Sequence, residues 1–290
     1  MNVLVTGGAG FIGTSLCRKL LKAGHKVFTL DLTHSKLKDV QSFIGDITDE
    51  ELGEMKFWKH MDVCYHLAAM ANVDKVRVLR TKAFNINIYG TFNIANICQK
   101  YNILMIFAST ACVYGNTPQH PSVEDGPTCP MDLYGATKLA GEEIIKLIPR
   151  WVILRFGTTV GPEQRSALAT SIFLDQAKRE VPITITGYGN QSRNWIYVDD
   201  LVNGCVKVIE SKVENEIINL VGEKSYTINQ MASIAVEVIK GKGHVYEVKH
   251  IPAREGDVMT EDISIEKAKK LLGWKPQISL KRALELSYKD

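Results

Sequence analysis

No C-x-x-C pair occurs in the 290 residues, and none of the six cysteines (Cys17, Cys64, Cys98, Cys112, Cys129 and Cys205) has a histidine motif beside it. That spacing excludes a disulfide framework and a zinc site, so no metal is expected, and it suits a reducing cytosol. No apolar run approaches the roughly 20 residues that a membrane span needs. Charge of one sign is scarce too: 35 Lys and Arg against 32 Asp and Glu leave a net +3. The basic residues are dispersed, which leaves no footprint for nucleic acid. The opening MNVLVTGG reads as a strand followed by glycines, not as the charged region and apolar stretch of a signal peptide. A cytoplasmic protein is expected. There is no internal repeat and no low-complexity segment. What remains is an ordinary globular composition, 45% apolar and 23% charged, long enough for one large α/β domain or a domain with a smaller lobe.

Short β-branched runs alternate with helical stretches through the first two-thirds. Strands are expected at Asn2–Thr6, Lys26–Asp31, Phe43–Ile44, Val63–Leu67, Leu104–Ser109 and Trp151–Arg155. Between the first two, Ile12, Leu16 and Leu20 recur at helical spacing and Gly24 is a stop. Strand, helix, strand at this spacing means βαβ units and a parallel sheet with helices on both faces. After Gly161-Pro162 the rhythm loosens, with a helix expected near 166–179 and another opened by Asp199-Asp200. The expected division is a nucleotide-binding domain of 1–160 plus 194–212, and a smaller mixed α/β substrate lobe of 161–193 and 213–290.

Residues Thr6–Gly13 read TGGAGFIG, placing Gly7, Gly10 and Gly13 between a strand and a helix. Such glycines permit a tight turn, close approach of backbone to a pyrophosphate, and close helix–sheet packing. The helix N-terminus adds free N–H groups and partial positive charge. Asp31, closing the second strand, can accept from the adenosine ribose hydroxyls and would repel a 2′-phosphate, which favours NAD over NADP. Lys36 and Lys38 nearby keep NADP open. Asp46 is placed to meet the adenine or to cap its own turn.

Tyr134 and Lys138, in YGATK, lie four apart on one helix face. A phenol is a poor base at neutral pH. Lowering it from about 10 to about 7 needs about 4 kcal/mol of preferential phenolate stabilisation, which nearby positive charge can supply. Thr110 ends the strand from Leu104, at the carboxyl edge where ligands bind in a parallel sheet. There it can hydrogen-bond the substrate oxygen whose proton Tyr134 handles, with Ser109 the alternative hydroxyl.

Together TGGAGFIG, YHLAA (Tyr65–Ala69), NIYGT (Asn87–Thr91), STACVYG (Ser109–Gly115), YGATK, RNWIYVDD (Arg193–Asp200) and LLGWKP (Leu271–Pro276) resemble signatures of the extended short-chain dehydrogenase/reductase family, specifically its nucleotide-sugar epimerases and dehydratases. The likeness runs nearly end to end. It implies a Rossmann-type doubly wound parallel sheet, NAD as cofactor, a UDP-hexose as the favoured substrate, and a homodimer formed through helices around 80–101 and 133–148. It assigns catalysis to Thr110, Tyr134 and Lys138. It assigns cofactor contacts to Gly7, Gly10, Phe11, Ile12, Gly13, Asp31, Asp46, Ile47, Leu67, Ala68, Ala69 and Asn87, with Tyr134 and Lys138. Substrate contacts fall to Thr110, Thr158, Arg193 and Arg254; bidentate guanidinium geometry suits a diphosphate.

Two positions separate the reactions. Dehydratases of the family look like S-T-D-E-V-Y-G, and decarboxylases carry Glu at the second variable place; here Ala111 and Cys112 stand there. Alanine transfers no proton, so 4,6-dehydration is disfavoured and 4-epimerisation by transient oxidation at C4 is expected. Cys112 supports a rival, since related 3,5-epimerases and keto-sugar reductases use a cysteine acid/base in a similar segment. A simple alcohol dehydrogenase of the superfamily and a non-enzymatic NAD-sensing module stay open as well. The family's usual asparagine after Arg155 is Thr158 here, which alters the expected grip on substrate phosphate.

Overall fold

The computed structural model describes residues 1–253 and 256–288. The first six strands are β1 (Asn2–Thr6), β2 (Lys26–Asp31), β3 (Gln41–Ile44), β4 (Val63–His66), β5 (Leu104–Thr110) and β6 (Trp151–Phe156). They are followed by β7 (Thr158–Val160), β8 (Ile183–Thr186), β9 (Ser192–Tyr197), β10 (Glu216–Leu220), β11 (Ser225–Thr227) and β12 (Val248–Ile251). Seven of these form one sheet in the order β10-β6-β5-β4-β1-β2-β3, every neighbouring pair parallel. Parallel strands covered on both faces need continuous apolar runs. Val3–Val5, Leu104–Phe107 and Val152–Leu154 supply them and are buried. Helix Phe11–Lys22 makes the crossover from β1 to β2, burying Leu16 and Leu20.

The strand order reverses between β1 and β4, and ligands of such sheets bind outside the carboxyl ends at that reversal. The segments leaving β1, β4 and β5 there carry Gly7, Leu67 and the turn after Thr110. Two small sheets, β11-β9-β7 and β12-β8, build the second lobe.

The lobe division differs from the expected one in two places. β10 lies within 213–290 yet pairs with β6 as an edge strand of the large sheet, because Ile218 and Leu220 need that core to bury in. β9 lies in the small sheet, so within 194–212 only helix Val198–Ser211 returns to the large sheet, packing on helix Phe11–Lys22. The helix expected over 166–179 is observed at Ala169–Lys178. No helix among the described residues is long and apolar enough to cross a membrane.

Candidate active site

Gly7 takes φ +70, and a Cβ there would lie 2.8 Å from the Ala68 backbone nitrogen. A Cβ on Gly13 would run into the Gly7 carbonyl oxygen. The glycine turn is thus pressed against its own helix and against the segment after β4. Gly10 caps helix Phe11–Lys22 without a side-chain bond, and no acidic residue stands in its first turn. The first carbonyl-to-amide bond is Thr14 N–H to Gly10 O (2.8 Å), so the amides of Phe11, Ile12 and Gly13 precede the helical ladder. Asp31, half-buried, accepts from Ala9 N–H through Oδ2 (3.0 Å), which ties the end of β2 to the turn. Asp46 is exposed, and its Oδ1 accepts from the Thr48 amide and hydroxyl (2.9 and 2.8 Å); that oxygen caps its own turn. Ile47 is buried against Gly90.

Leu67, Ala68 and Ala69 are half-buried directly after β4. Buried Asn87 holds the end of this segment: its Oδ1 accepts from Met70 N–H (2.8 Å), and its amide donates to Met70 O (3.1 Å) and Thr137 Oγ (3.0 Å). Asn87 sits in a π-helical turn, Asn85–Tyr89, an irregularity found often at functional sites. Its side chain therefore joins the expected cofactor loop to the helix of Tyr134.

That helix, Leu133–Ile145, is capped by Asp132, whose Oδ1 accepts from Gly135 N–H (2.7 Å). Burial pushes the Tyr134 phenol up from its ordinary range, while the nearby Arg165 and the Thr110 hydroxyl favour the ionised form. Thr110, buried at the end of β5, also accepts from Cys112 N–H (3.2 Å). Thr110 and Tyr134 thus lie near each other. Lys138 is buried as well, with its ammonium 3.9 Å from the centre of the Phe107 ring. Burial lowers it to about 7, against the raising effect of Glu142. Cys112 is raised to about 12, mainly by burial. Ser109, the alternative hydroxyl, donates instead to buried Glu142.

On the substrate side, Thr158 is half-buried on β7, and Arg193 lies on the adjacent β9. Arg193 donates to Asp257 Oδ1 (2.5 Å), Val258 O (2.6 Å) and Ser192 O (2.7 Å). Its guanidinium is ordered by the segment that follows residues 254 and 255. Arg254 itself lies outside the described residues. Sequence reasoning missed Arg165, Glu142 and His66. The first is an exposed arginine in a loop with no motif of its own. The second repeats the Tyr134–Lys138 interval once more along the helix, a signal that was there to read.

A model of the NAD dependent epimerase/dehydratase family matches residues 3–221. A putative UDP-glucose 4-epimerase of Methanocaldococcus jannaschii is 35% identical over 298 residues, covering 98% of this chain and 96% of that protein. UDP-glucuronic acid decarboxylase 1 of Danio rerio is 28% identical over 302 residues, covering 98% of this chain and 71% of that protein. Among solved structures, a UDP-glucuronic acid 4-epimerase of Bacillus cereus, in complex with UDP-glucuronic acid and NAD, superposes with a TM-score of 0.89 at 30% identity, covering 99% of this chain and 98% of that one.

Proposed function

The chain belongs to the NAD dependent epimerase/dehydratase family, and from that membership we propose that it is a nucleotide-sugar 4-epimerase acting on a UDP-hexose. The glycine turn fits the cofactor: the uncapped, acid-free first turn suits a pyrophosphate, and Asp31 stands where ribose hydroxyls are read. When bound, NAD supplies a reversible acceptor for the electrons of the C4–H bond. The chain's own residues handle the proton. Tyr134 takes it from the C4 hydroxyl and later returns it, Thr110 orients that oxygen, and the Lys138 ammonium favours the phenolate. Thr158 and Arg193, with Arg254, are the residues proposed to hold the nucleotide diphosphate.

The observation that carries this reading is the identity and state of the two residues after Thr110. Elimination of water and exchange of a proton beside a ketone each need a further acid or base. Ala111 cannot serve, and burial raises the Cys112 thiol rather than tuning it toward neutral pH. Oxidation at C4 and return to the other face needs Tyr134 alone. A hexuronate is a second reading, favoured by Arg165: a guanidinium close enough to bias the Tyr134 phenol can also pair with a sugar carboxylate.

A second copy of the chain is the partner proposed for the outer faces of the helices between 73 and 145. Val78, Leu79, Phe84, Phe92 and Leu133 are exposed there, apolar side chains that an interface would bury. Sedimentation of the wild type and of Phe92→Glu tests it, with a dimer and a monomer expected.

For the reaction, purified protein with NAD is followed by proton NMR in heavy water with UDP-, GDP- and dTDP-hexoses and a UDP-hexuronate. The 4-epimerase gives a C4-inverted product with no solvent deuterium on carbon and no net NADH. Deuterium at C3 or C5, loss of carbon dioxide, or steady NADH accumulation would each overturn it.

A further inference from the structure

His66 ends β4, fully buried beneath the cofactor turn. Thr6 Oγ lies 2.8 Å from its Nδ1, and Thr91 Oγ lies 3.1 Å from its Nε2. The Thr91 end fixes the direction of both bonds. Ala68 N–H donates to Thr6 Oγ (3.2 Å), which leaves the Thr6 hydroxyl hydrogen free to point at His66 Nδ1. Thr91 spends its single hydroxyl hydrogen on the Asn87 carbonyl (2.7 Å), so its oxygen accepts from His66 Nε2–H. A hydroxyl has one proton and an amide cannot accept. Reversing the imidazole would strand the Thr6 hydrogen at one end and set two lone pairs against each other at the other.

We propose that His66 is a positioning residue for the NAD site, locked as the neutral Nε2–H tautomer, and that its two hydrogen bonds set the spacing between the phosphate turn and the helix of Tyr134. On one side the string reaches Thr6 and Ala68, which flank the crowded Gly7. On the other it reaches Asn87, whose amide donates to Thr137 Oγ, and that hydroxyl donates to the Tyr134 carbonyl (2.8 Å). One run of buried polar groups thus crosses from β1 under the turn to the catalytic helix. Every member is satisfied in one direction only, which favours a single geometry. The Phe107 ring stacks on the imidazole at 5.8 Å and carries the Lys138 ammonium on it. Lys138 is the charged group that bears on His66, and its cation and the burial both oppose an imidazolium, holding His66 down at about 3.

The test needs NAD alone, so its result is independent of which sugar is the substrate. In the wild-type protein, nitrogen-15 NMR should show His66 with a protonated Nε2 and a bare Nδ1, unchanged between about pH 8 and 5. An imidazolium or an Nδ1–H tautomer in that range overturns the proposal without any variant. His66→Phe keeps the ring against Phe107 but makes neither bond, and His66→Gln offers one acceptor and one donor. Calorimetric titration should show the NAD Kd raised about tenfold or more in His66→Phe, the size of one well-made buried hydrogen bond. In His66→Gln it should recover to within about threefold. Equal weakening in both variants, or no weakening in His66→Phe, overturns the positioning role.

Discussion

Glu142→Gln is the substitution that tests the site's foundations. Glu142 and Arg155 are 0% and 3% exposed, and the carboxylate takes Arg155 Nε at 3.0 Å and Nη2 at 2.8 Å while also accepting from Ser109. Glutamine keeps one acceptor oxygen and turns the other into an NH2 that faces the donor Nη2. Breaking a buried pair from one side leaves an uncompensated charge, at about 3–5 kcal/mol. Arg155 keeps its bonds to Tyr114 Oη and Glu124 O, both 3.0 Å, so the loss falls toward the lower end. Against a total of about 5–15 kcal/mol that is a large share. It corresponds to a fall of roughly 6–12 °C in Tm at about 2–4 °C per kcal/mol. Urea titration followed by circular dichroism measures it, with the slope compared to confirm that the unfolded states match. The double variant Glu142→Leu with Arg155→Met removes both charges and should lose less than the single one. The same single variant removes the anion that holds Lys138 up, so the ammonium is lost at lower pH than in the wild type. A loss below about 1 kcal/mol at unchanged slope, within the range of an exposed pair, would refute the account of the pair as a buried charge.

Tyr134→Phe should fold and bind NAD with near wild-type affinity but lose turnover by about 10²–10⁴-fold, the range of a positioned acid–base group; retained turnover in the NMR assay would remove it as the base. Asp31→Ala should narrow the preference for NAD over NADP, read as the ratio of the two dissociation constants, and an unchanged ratio would take Asp31 out of the ribose site. Cys112→Ser should leave epimerisation within about twofold, because oxidation and return at C4 need no side-chain acid or base beyond Tyr134, and a collapse in rate would restore the thiol mechanism. Lys138 carries the pH prediction. Its folded value, about 7, lies below its ordinary value of 10.5, so between the two the unfolded chain binds the extra proton and stability rises with pH. Urea midpoints of the wild type should therefore climb relative to Lys138→Met from about pH 7 to 10, and parallel curves would mean that Lys138 stays charged in the fold.

The parts of this molecule legible in sequence are those whose cause is local. The glycine turn shows because its crowding is set by residues within the turn and just beyond it. β1, β4, β5 and β6 show because a strand buried on both faces must be a run of apolar residues. β10 did not show, since EIINL carries no mark of which sheet it joins, and its partner Trp151–Phe156 lies some 60 residues back. The buried polar pairs have the same character: Arg193 meets Asp257 across 64 positions, and Thr6 meets His66 across 60. Yet a physical constraint on them was already in the text. A polar group deep in a core is almost never left unpaired, and each such residue on an inward position announces a partner without naming it. Glu142 follows Lys138 at the same interval that separates Lys138 from Tyr134, on a helix whose inner face packs on β5. A carboxylate there requires a cation from a neighbouring strand, and Arg155, inside the apolar run of β6, requires an anion. Each residue is anomalous in its own element, and the two anomalies cancel only against each other. Unpaired polar demands matched by sign are thus a route from sequence to long-range contact, and in this chain that route leads to the ground on which Tyr134 and Lys138 stand.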